Sequence, residues 1–259
     1  MIGTVVLCIT AGFVDGASQI DDLLQKLTSK TLDPRTLSLL EAQPQDSRTL
    51  PALRSAFDSS TDKHDKQLLA VTLIHLGDRS DVYFNFLADF AKEAVNDRAP
   101  NFESYDQQGR PIRGQFSAEY LNWCAANGKD PKALAGVLFG AFPEDVHQLA
   151  RALDPRALGI FRAGLESPNL SVVTNCVQGL GRLNDTASIA MIAKAAQRFP
   201  ASTRSAISIN LPWFSSPEAL RLMEQLTPDV SQRQYYIGLV NDIRLAEFDT
   251  IQKRQGSKQ

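Results

Sequence analysis

Apolar positions recur at helical spacing along most of this chain, and over residues 154–226 they recur between helices as well. Leu158, Ile189 and Leu220 are evenly spaced, and Phe161, Ile192 and Met223 repeat the same spacing. Leu180 and Leu211 stand the same distance apart, in the helices that follow. Helix starts repeat too. Asp154-Pro155-Arg156-Ala157-Leu158 returns two periods later as Ser216-Pro217-Glu218-Ala219-Leu220. It returns off period as Asp130-Pro131-Lys132-Ala133-Leu134 and Asp33-Pro34-Arg35-Thr36-Leu37. Each begins with a small polar residue that can accept a hydrogen bond from the free N–H groups of a first turn. Proline then takes the first helical position, where its missing N–H costs nothing. A proline also separates the two helices of each unit, at Pro168, Pro200 and Pro228. Three agreeing overlays at one fixed period of about 31 residues predict an all-α solenoid, a superhelix of stacked antiparallel helix pairs.

The rest of the chain reads in the same terms. Ile20, Leu23, Leu24 and Leu27 share a helix face, and Asp33-Pro34 opens a second helix ending near Leu40. A full unit runs from Pro51 to Asp78, broken at residues 59–62 and closed by Gly77, a residue common just past a helix end. The next helix, 82–95, is rich in phenylalanine. After it, residues 96–116 hold two prolines and two glycines without helical periodicity. This is an irregular insertion, in which residues 106–110 can close a short hairpin. Ser117 then caps a helix carrying Tyr120, Leu121, Trp123 and Cys124, and Asp130-Pro131 opens another with Leu134, Val137, Leu138 and Phe139. A short helix covers 144–153. The repeat helices are expected at 156–166, 170–182, 187–198, 201–211, 217–226 and 230–247. The resulting layout is an apolar leader at 1–17, N-terminal repeats at 18–95, the insertion, C-terminal repeats at 117–249 and a polar, frayed tail at 250–259.

A net charge of −2 and a pI near 5.9 give no electrostatic case for nucleic-acid binding. Residues 2–14 are mostly apolar but too few to span a bilayer, which takes about 20. With the small residues that follow, they resemble a secretory signal lacking basic residues at its start. The chain is therefore expected to be periplasmic or secreted, with no integral membrane segment once the leader is gone. Three cysteines do not make a disulfide-built scaffold. Cys124 and Cys176 would remain in the mature chain. They can pair in an oxidising compartment, but each lies in an apolar pattern that favours two buried thiols.

The short repeats resemble HEAT repeats of the phycobilisome-lyase type. The resemblance rests on Ser167-Pro168-Asn169-Leu170-Ser171-Val172-Val173, then Gly179-Leu180-Gly181-Arg182-Leu183-Asn184-Asp185, then Ser188-Ile189 and Ile192. It covers about 154–246 well and 49–95 loosely. The whole chain is also similar to exported bacterial HEAT-repeat proteins of unassigned role. They share a Tyr/Phe-Leu-x-Trp-Cys/Ala helix and an Asp-Pro helix start, matched here by Tyr120-Leu121-Asn122-Trp123-Cys124 and Asp130-Pro131. The arginine usual early in the second helix is Val173 or Thr174 in one copy and Arg204 in the next. The resemblance implies a HEAT/armadillo-like fold and partner binding. Lyase activity does not carry over, because folds of this kind host many functions.

Nothing in the sequence points to catalysis. His64 lies in a polar helix start, His75 near the end of an apolar helix, and His147 in an acidic first turn. There is no His-x-x-x-His or Cys-x-x-Cys metal spacing, no Gly-x-Ser-x-Gly, no phosphate loop and no dinucleotide fingerprint. Gly179 and Gly181 sit in a repeat helix and not in a loop. No cofactor, metal or catalytic residue is assigned. The expected function is non-catalytic protein binding or scaffolding in the cell envelope. An enzyme or enzyme-maturation factor with its site near 96–116 is the alternative. The candidate surface is the second-helix face of 168–246 together with the insertion, whose Phe102, Tyr105, Arg110 and Arg113 are of the types that anchor interfaces. Tyr235 is the candidate on the last helix. Adjacent helical residues point about 100° apart, so Tyr235 and Tyr236 should split, one outward and one inward. Trp213 and Phe214 are expected to pack between repeats.

Overall fold

In a computed structural model of the protein, residues 16–27, 32–43, 46–106, 111–132 and 142–256 are described. The apolar leader at 2–14, Arg110 and the apolar positions 134–139 lie outside them. The chain is an all-α solenoid built from thirteen α-helices among the described residues. The N-terminal part contains α1 (Gly16–Lys26), α2 (Pro34–Ala42), α3 (Thr49–Ser59), α4 (Lys63–His75) and α5 (Asp81–Asn96). A two-stranded antiparallel hairpin follows, β1 (Glu103–Tyr105) and β2 (Pro111–Phe116), then α6 (Ala118–Ala126). The C-terminal part contains α7 (Phe142–Arg151), α8 (Leu158–Gly164), α9 (Leu170–Arg182), α10 (Ile189–Gln197), α11 (Ser205–Ser208), α12 (Pro217–Leu226) and α13 (Val230–Gly256).

The four Asp-Pro and Ser-Pro starts are all capped as their sequences require. The side-chain oxygens of Asp33, Asp130, Asp154 and Ser216 accept hydrogen bonds from the backbone N–H groups of Arg35, Lys132, Arg156 and Glu218, at 2.9, 2.9, 2.9 and 3.1 Å. The helices stack in a continuous row. α4 packs on α2, α3, α5 and α7; α7 packs on α5 and α9; α9 packs on α8, α11 and the turn at Leu211–Trp213. α4 lies deep in this row. Its residues from Gln67 to Ile74 are all buried, so its apolar positions run right round the helix and do not form one stripe. α13 packs against Leu211–Trp213 and also against α2, so the last helix of the row touches one of the first.

Glycine sets how closely the second helices approach. A Cβ on Gly179 would lie 2.6 Å from the Phe161 ring, and one on Gly181 would lie 2.6 Å from Trp213 Cβ. The two glycines of α9 are thus packing residues that let α8 and the Leu211–Trp213 turn close on that helix. Phe161, Ile192 and Met223, one of the evenly spaced series, are buried at equivalent places, as are Leu180 and Leu211. The other series diverges at its end: Ile189 is buried but Leu220 is 43% exposed. α12 is the last first-helix of the row, so no further one covers that side.

A second regularity joins the helices of a unit. Each of three second helices ends in a left-handed residue followed by aspartate: Gly77-Asp78 (φ 89°), Leu153-Asp154 (φ 54°) and Asn184-Asp185 (φ 52°). Arg54 of α3 donates from Nε to Asp78 at 2.7 Å. Arg162 of α8 donates to Asp185 from Nε and Nη2 at 2.9 and 2.7 Å. Arg156 grips Asp154 with Nη2 at 2.6 Å and reaches Asp81 of α5 at 2.5 Å. These aspartate side chains are only 5–9% exposed. A buried carboxylate needs such a partner. In two of these units the arginine lies on the first helix, Arg54 on α3 and Arg162 on α8, whereas Arg156 lies in the turn that leads into α8. Arg204, early in the expected second helix, donates to the Phe199 carbonyl at 2.9 Å, just past the end of α10.

Three expected elements differ. Residues 201–211 form no continuous helix but short turns, Ala201–Thr203 and Leu211–Trp213, on either side of α11. Pro212 has no N–H to donate. Thr203 and Ser208 turn their hydroxyls back on the carbonyls of Pro200 and Ser205, at 3.0 and 2.8 Å, which competes with the helical ladder. α13 runs past 247 to Gly256, since no glycine or proline interrupts residues 239–255. The insertion is not wholly irregular, because the hairpin forms with Glu103 opposite Phe116 and Tyr105 opposite Pro111. Two steps on β1 face five on β2, and Gly114 (φ 75°) takes up part of the excess in a conformation that suits glycine.

Candidate functional site

The hairpin and α6 share a core of their own. Phe102, Tyr120 and Cys124 are buried together, with Phe116 and Trp123 against them. The Phe102 and Tyr120 rings meet edge-on at 6.1 Å, and Trp123 stacks on Tyr120 at 6.4 Å. Ser117 ties this unit together. Its N–H donates to the Phe102 carbonyl at 2.9 Å and its hydroxyl to the Asn101 carbonyl at 2.6 Å. The same hydroxyl accepts from the Tyr120 N–H and so caps α6, while the Tyr120 hydroxyl donates to the Pro131 carbonyl at 3.2 Å. Burial, with Cys124 beside it, pushes the Tyr120 hydroxyl up to about 12, so it stays a neutral donor.

Between this unit and the repeats lies a cleft of ≈ 660 Å³, a size in the usual range of ligand sites. One wall is the hairpin and the start of α6, with Glu103, Ser104, Ile112, Gln115 and Glu119. The other is made of the turns of two consecutive repeats, around Pro168 and around Phe199 and Pro200. Hydrogen bonds hold the second wall in place. Asn169 caps α9 by accepting from the Ser171 N–H at 2.9 Å. Arg198 donates to the Leu165 carbonyl and to the Glu166 carbonyl, the latter at 3.0 Å, and its guanidinium lies over the Phe199 ring at 5.7 Å from the centroid. Arg98 reaches the same Glu166 carbonyl at 3.5 Å. The orphan carbonyls at the end of α8 are thus satisfied by arginines from two neighbouring segments.

The expected site residues separate. Phe102 is turned into the small core, so its ring serves packing. Tyr105 and Arg113 stand on β1 and β2. Arg110 lies outside the described residues. Tyr235 is on α13, 65% exposed, while Tyr236 beside it is buried and accepts from Gln232 at 2.7 Å, so the pair splits as the helix geometry requires. Trp213 and Phe214 are both buried against the row. The Arg198–Thr203 side of the cleft falls within the expected 168–246 range, but sequence reading singled out no residue there. The available signal was the equivalence of Pro168 and Pro200, which places both turns on one edge of the stack.

The groups considered for chemistry are engaged elsewhere. His75 directs Nδ1 at the Glu41 carboxylate, 3.2 Å away, and Nε2 at the Arg151 carbonyl, 2.7 Å away, joining α2, α4 and α7. His147 Nδ1 meets Gln178 at 2.8 Å. Cys124 and Cys176 are free thiols in different cores, and burial pushes the Cys176 thiol up, which keeps it protonated and unreactive. Among the described residues no three His, Cys, Asp or Glu side chains converge as a metal site. No helix there is long and apolar enough to cross a membrane. Comparison with known protein families finds no matching model, and comparison with curated proteins finds no match.

Proposed function

We propose that this protein is a non-catalytic protein-binding scaffold, acting in the cell envelope, and that its partner site is the cleft between the hairpin unit and the repeat turns. The observation that carries this reading is the cleft's position. It opens where the non-repeating hairpin segment meets the repeat edge, with hydrogen bonds within each of its walls. HEAT-like repeats suit such a role because stacking buries the helix faces and leaves edges and concave surfaces free. The apolar leader at residues 2–14 supports export. Affinity capture from an envelope extract tests the partner role, using the intact chain beside an Ile112→Asp/Ser202→Arg variant that alters both cleft walls outside the cores. The scaffold reading expects a stable partner whose recovery falls at least tenfold in the variant, with an unchanged circular-dichroism spectrum. Equal recovery by both proteins removes the cleft from the reading. Export is tested separately, by sequencing the N-terminus of the mature protein. A chain still beginning at Met1 overturns it.

A further inference from the structure

Apart from the cleft, we infer that a second copy of this chain docks on the outer face of α13, in an antiparallel, two-fold symmetric contact centred on Gly238 and Leu239. α13 is held to the row by one side only. Tyr236 and Val240 are buried there, and Arg244 donates to the Trp213 carbonyl with its guanidinium over the Trp213 ring. The other side is exposed. At about 100° per residue, Tyr235, Gly238, Leu239 and Asp242 fall within an arc of roughly 100°, and all four are exposed. Exposed Ile243 and Leu245 flank this strip on either side. The end of the row is apolar as well, with Leu220 on α12 and Val230 at the start of α13 exposed. Terminal repeats of a solenoid ordinarily turn a polar face outward.

The groups on the strip name its occupant, because each finds its complement on the same strip. A Cβ at Gly238 would meet nothing within 4 Å, so the helix backbone lies open there. A second α13 turned end for end seats its Leu239 on that glycine and receives Leu239 on its own. The same register sets Tyr235 opposite Asp242, so a phenol hydroxyl donates to a carboxylate. Two-fold symmetry makes each pairing twice, as an isologous contact requires. Charge agrees with this. Between Ser231 and Leu245 the charged residues are Arg233, Asp242 and Arg244. Arg233 donates to the Thr227 and Pro228 carbonyls at 2.8 and 2.7 Å, and Arg244 is turned to Trp213, which leaves Asp242 as the one charge on the strip. A lipid surface calls for lysine or arginine along the borders of an apolar helix face. The borders here carry Gln232 on one side and Gln234 and Asn241 on the other. The stretch from Ser231 to Leu245 makes about 22 Å of helix. That is a small contact among specific interfaces, so the dimer is expected to dissociate in the micromolar range.

Sedimentation equilibrium of the full chain tests this, with a reversible monomer–dimer equilibrium expected. Gly238→Leu fills the seat of the second copy's Leu239 and should weaken the dimer at least tenfold. In the monomer it adds a side chain to open space and removes a poor helix former, so melting at low concentration should not fall. Tyr235→Glu sets like charges together and should also weaken the dimer at least tenfold. Tyr235→Glu/Asp242→Arg restores opposite charges in the same register and should return the dissociation constant to within threefold of wild type. A chain that stays monomeric up to about 0.3 mM overturns the inference. So does a dimer that either single variant leaves within threefold of wild type, or a double variant that does not recover. Binding of the monomer to phosphatidylethanolamine–phosphatidylglycerol vesicles, lost in Tyr235→Glu, also overturns it and reassigns the face to a membrane. The Ile112→Asp/Ser202→Arg variant should dimerise as the wild type does, so the cleft reading and this one fail separately. A loss of dimer in that variant would move the contact to the cleft and overturn the inference.

Discussion

The C-terminal repeats and the hairpin–α6 unit solve the problem of burying apolar surface in opposite ways. In the repeats each helix is covered by its neighbours, glycines allow close approach, and the buried Asp185 is matched by Arg162 across its unit. The hairpin–α6 unit instead closes on three buried side chains, Phe102, Tyr120 and Cys124, within one short segment. So small a core cannot be independently stable. The contrast teaches where rigidity ends. The repeats form a frame whose shape is set many times over, and the hairpin unit is attached to that frame with little stability of its own.

The largest effect should come from the frame. Phe161→Ala removes a fully buried ring packed on Gly179 and is expected to cost about 3–5 kcal/mol, read as a lower urea midpoint of the single main transition. Tyr120→Ala should cost about 3 kcal/mol, but locally. Hydrogen exchange should rise across 101–126 while the main midpoint stays in place. A midpoint that moves as far as in Phe161→Ala would erase the distinction between the two regions.

Arg162→Met tests the arginine–aspartate pairing. It leaves Asp185, 9% exposed, with Ser188 as its remaining side-chain partner, and should cost about 2 kcal/mol at neutral pH. The hydrogen bond from Arg162, helped by Ser188, holds the Asp185 carboxyl below its ordinary value against the opposing effect of burial. A depressed carboxylate contributes stability above its unfolded value, near pH 4, and loses it as pH falls through the folded value. The gap between wild type and Arg162→Met should therefore narrow below about pH 4. A gap that is constant with pH would show that Asp185 is not held by charge. The smallest effect is a gain. Leu153 is exposed and sits at φ 54°, where a Cβ costs about 1 kcal/mol, so Leu153→Gly should raise the melting temperature by a few degrees.

The same contrast marks what the sequence discloses. Period, caps and apolar phase are local properties, and they placed Phe161, Ile192, Met223, Leu180 and Leu211 in the core. The four proline-led helix starts were legible for the same reason. The hairpin was legible as a turn, but its partners were not, because nothing near Phe102 in sequence says that Tyr120 will cover it. Contacts made at long range stayed hidden as a class. Asp145, 3% exposed, is held by Lys63 at 2.8 Å and Gln67 at 2.5 Å, both from a helix far earlier in the chain. The left-handed Leu153 was equally invisible, since leucine carries no local sign of that conformation. The cleft belongs with these: its two walls come from segments well separated in the chain, and only the fold sets them face to face.

The contact of α13 with α2 sets an order of events during synthesis. α2 ends at Ala42 and α13 begins at Val230, so most of the chain must emerge between them. At about 5–20 residues per second, the ribosome needs roughly 10–40 s to deliver the helix that completes the surroundings of α2. An open stack of helix pairs can finish folding one pair at a time and flexes like a spring. This one is fastened only when its last helix arrives, and the N-terminal helices wait with part of their surface uncovered until it does.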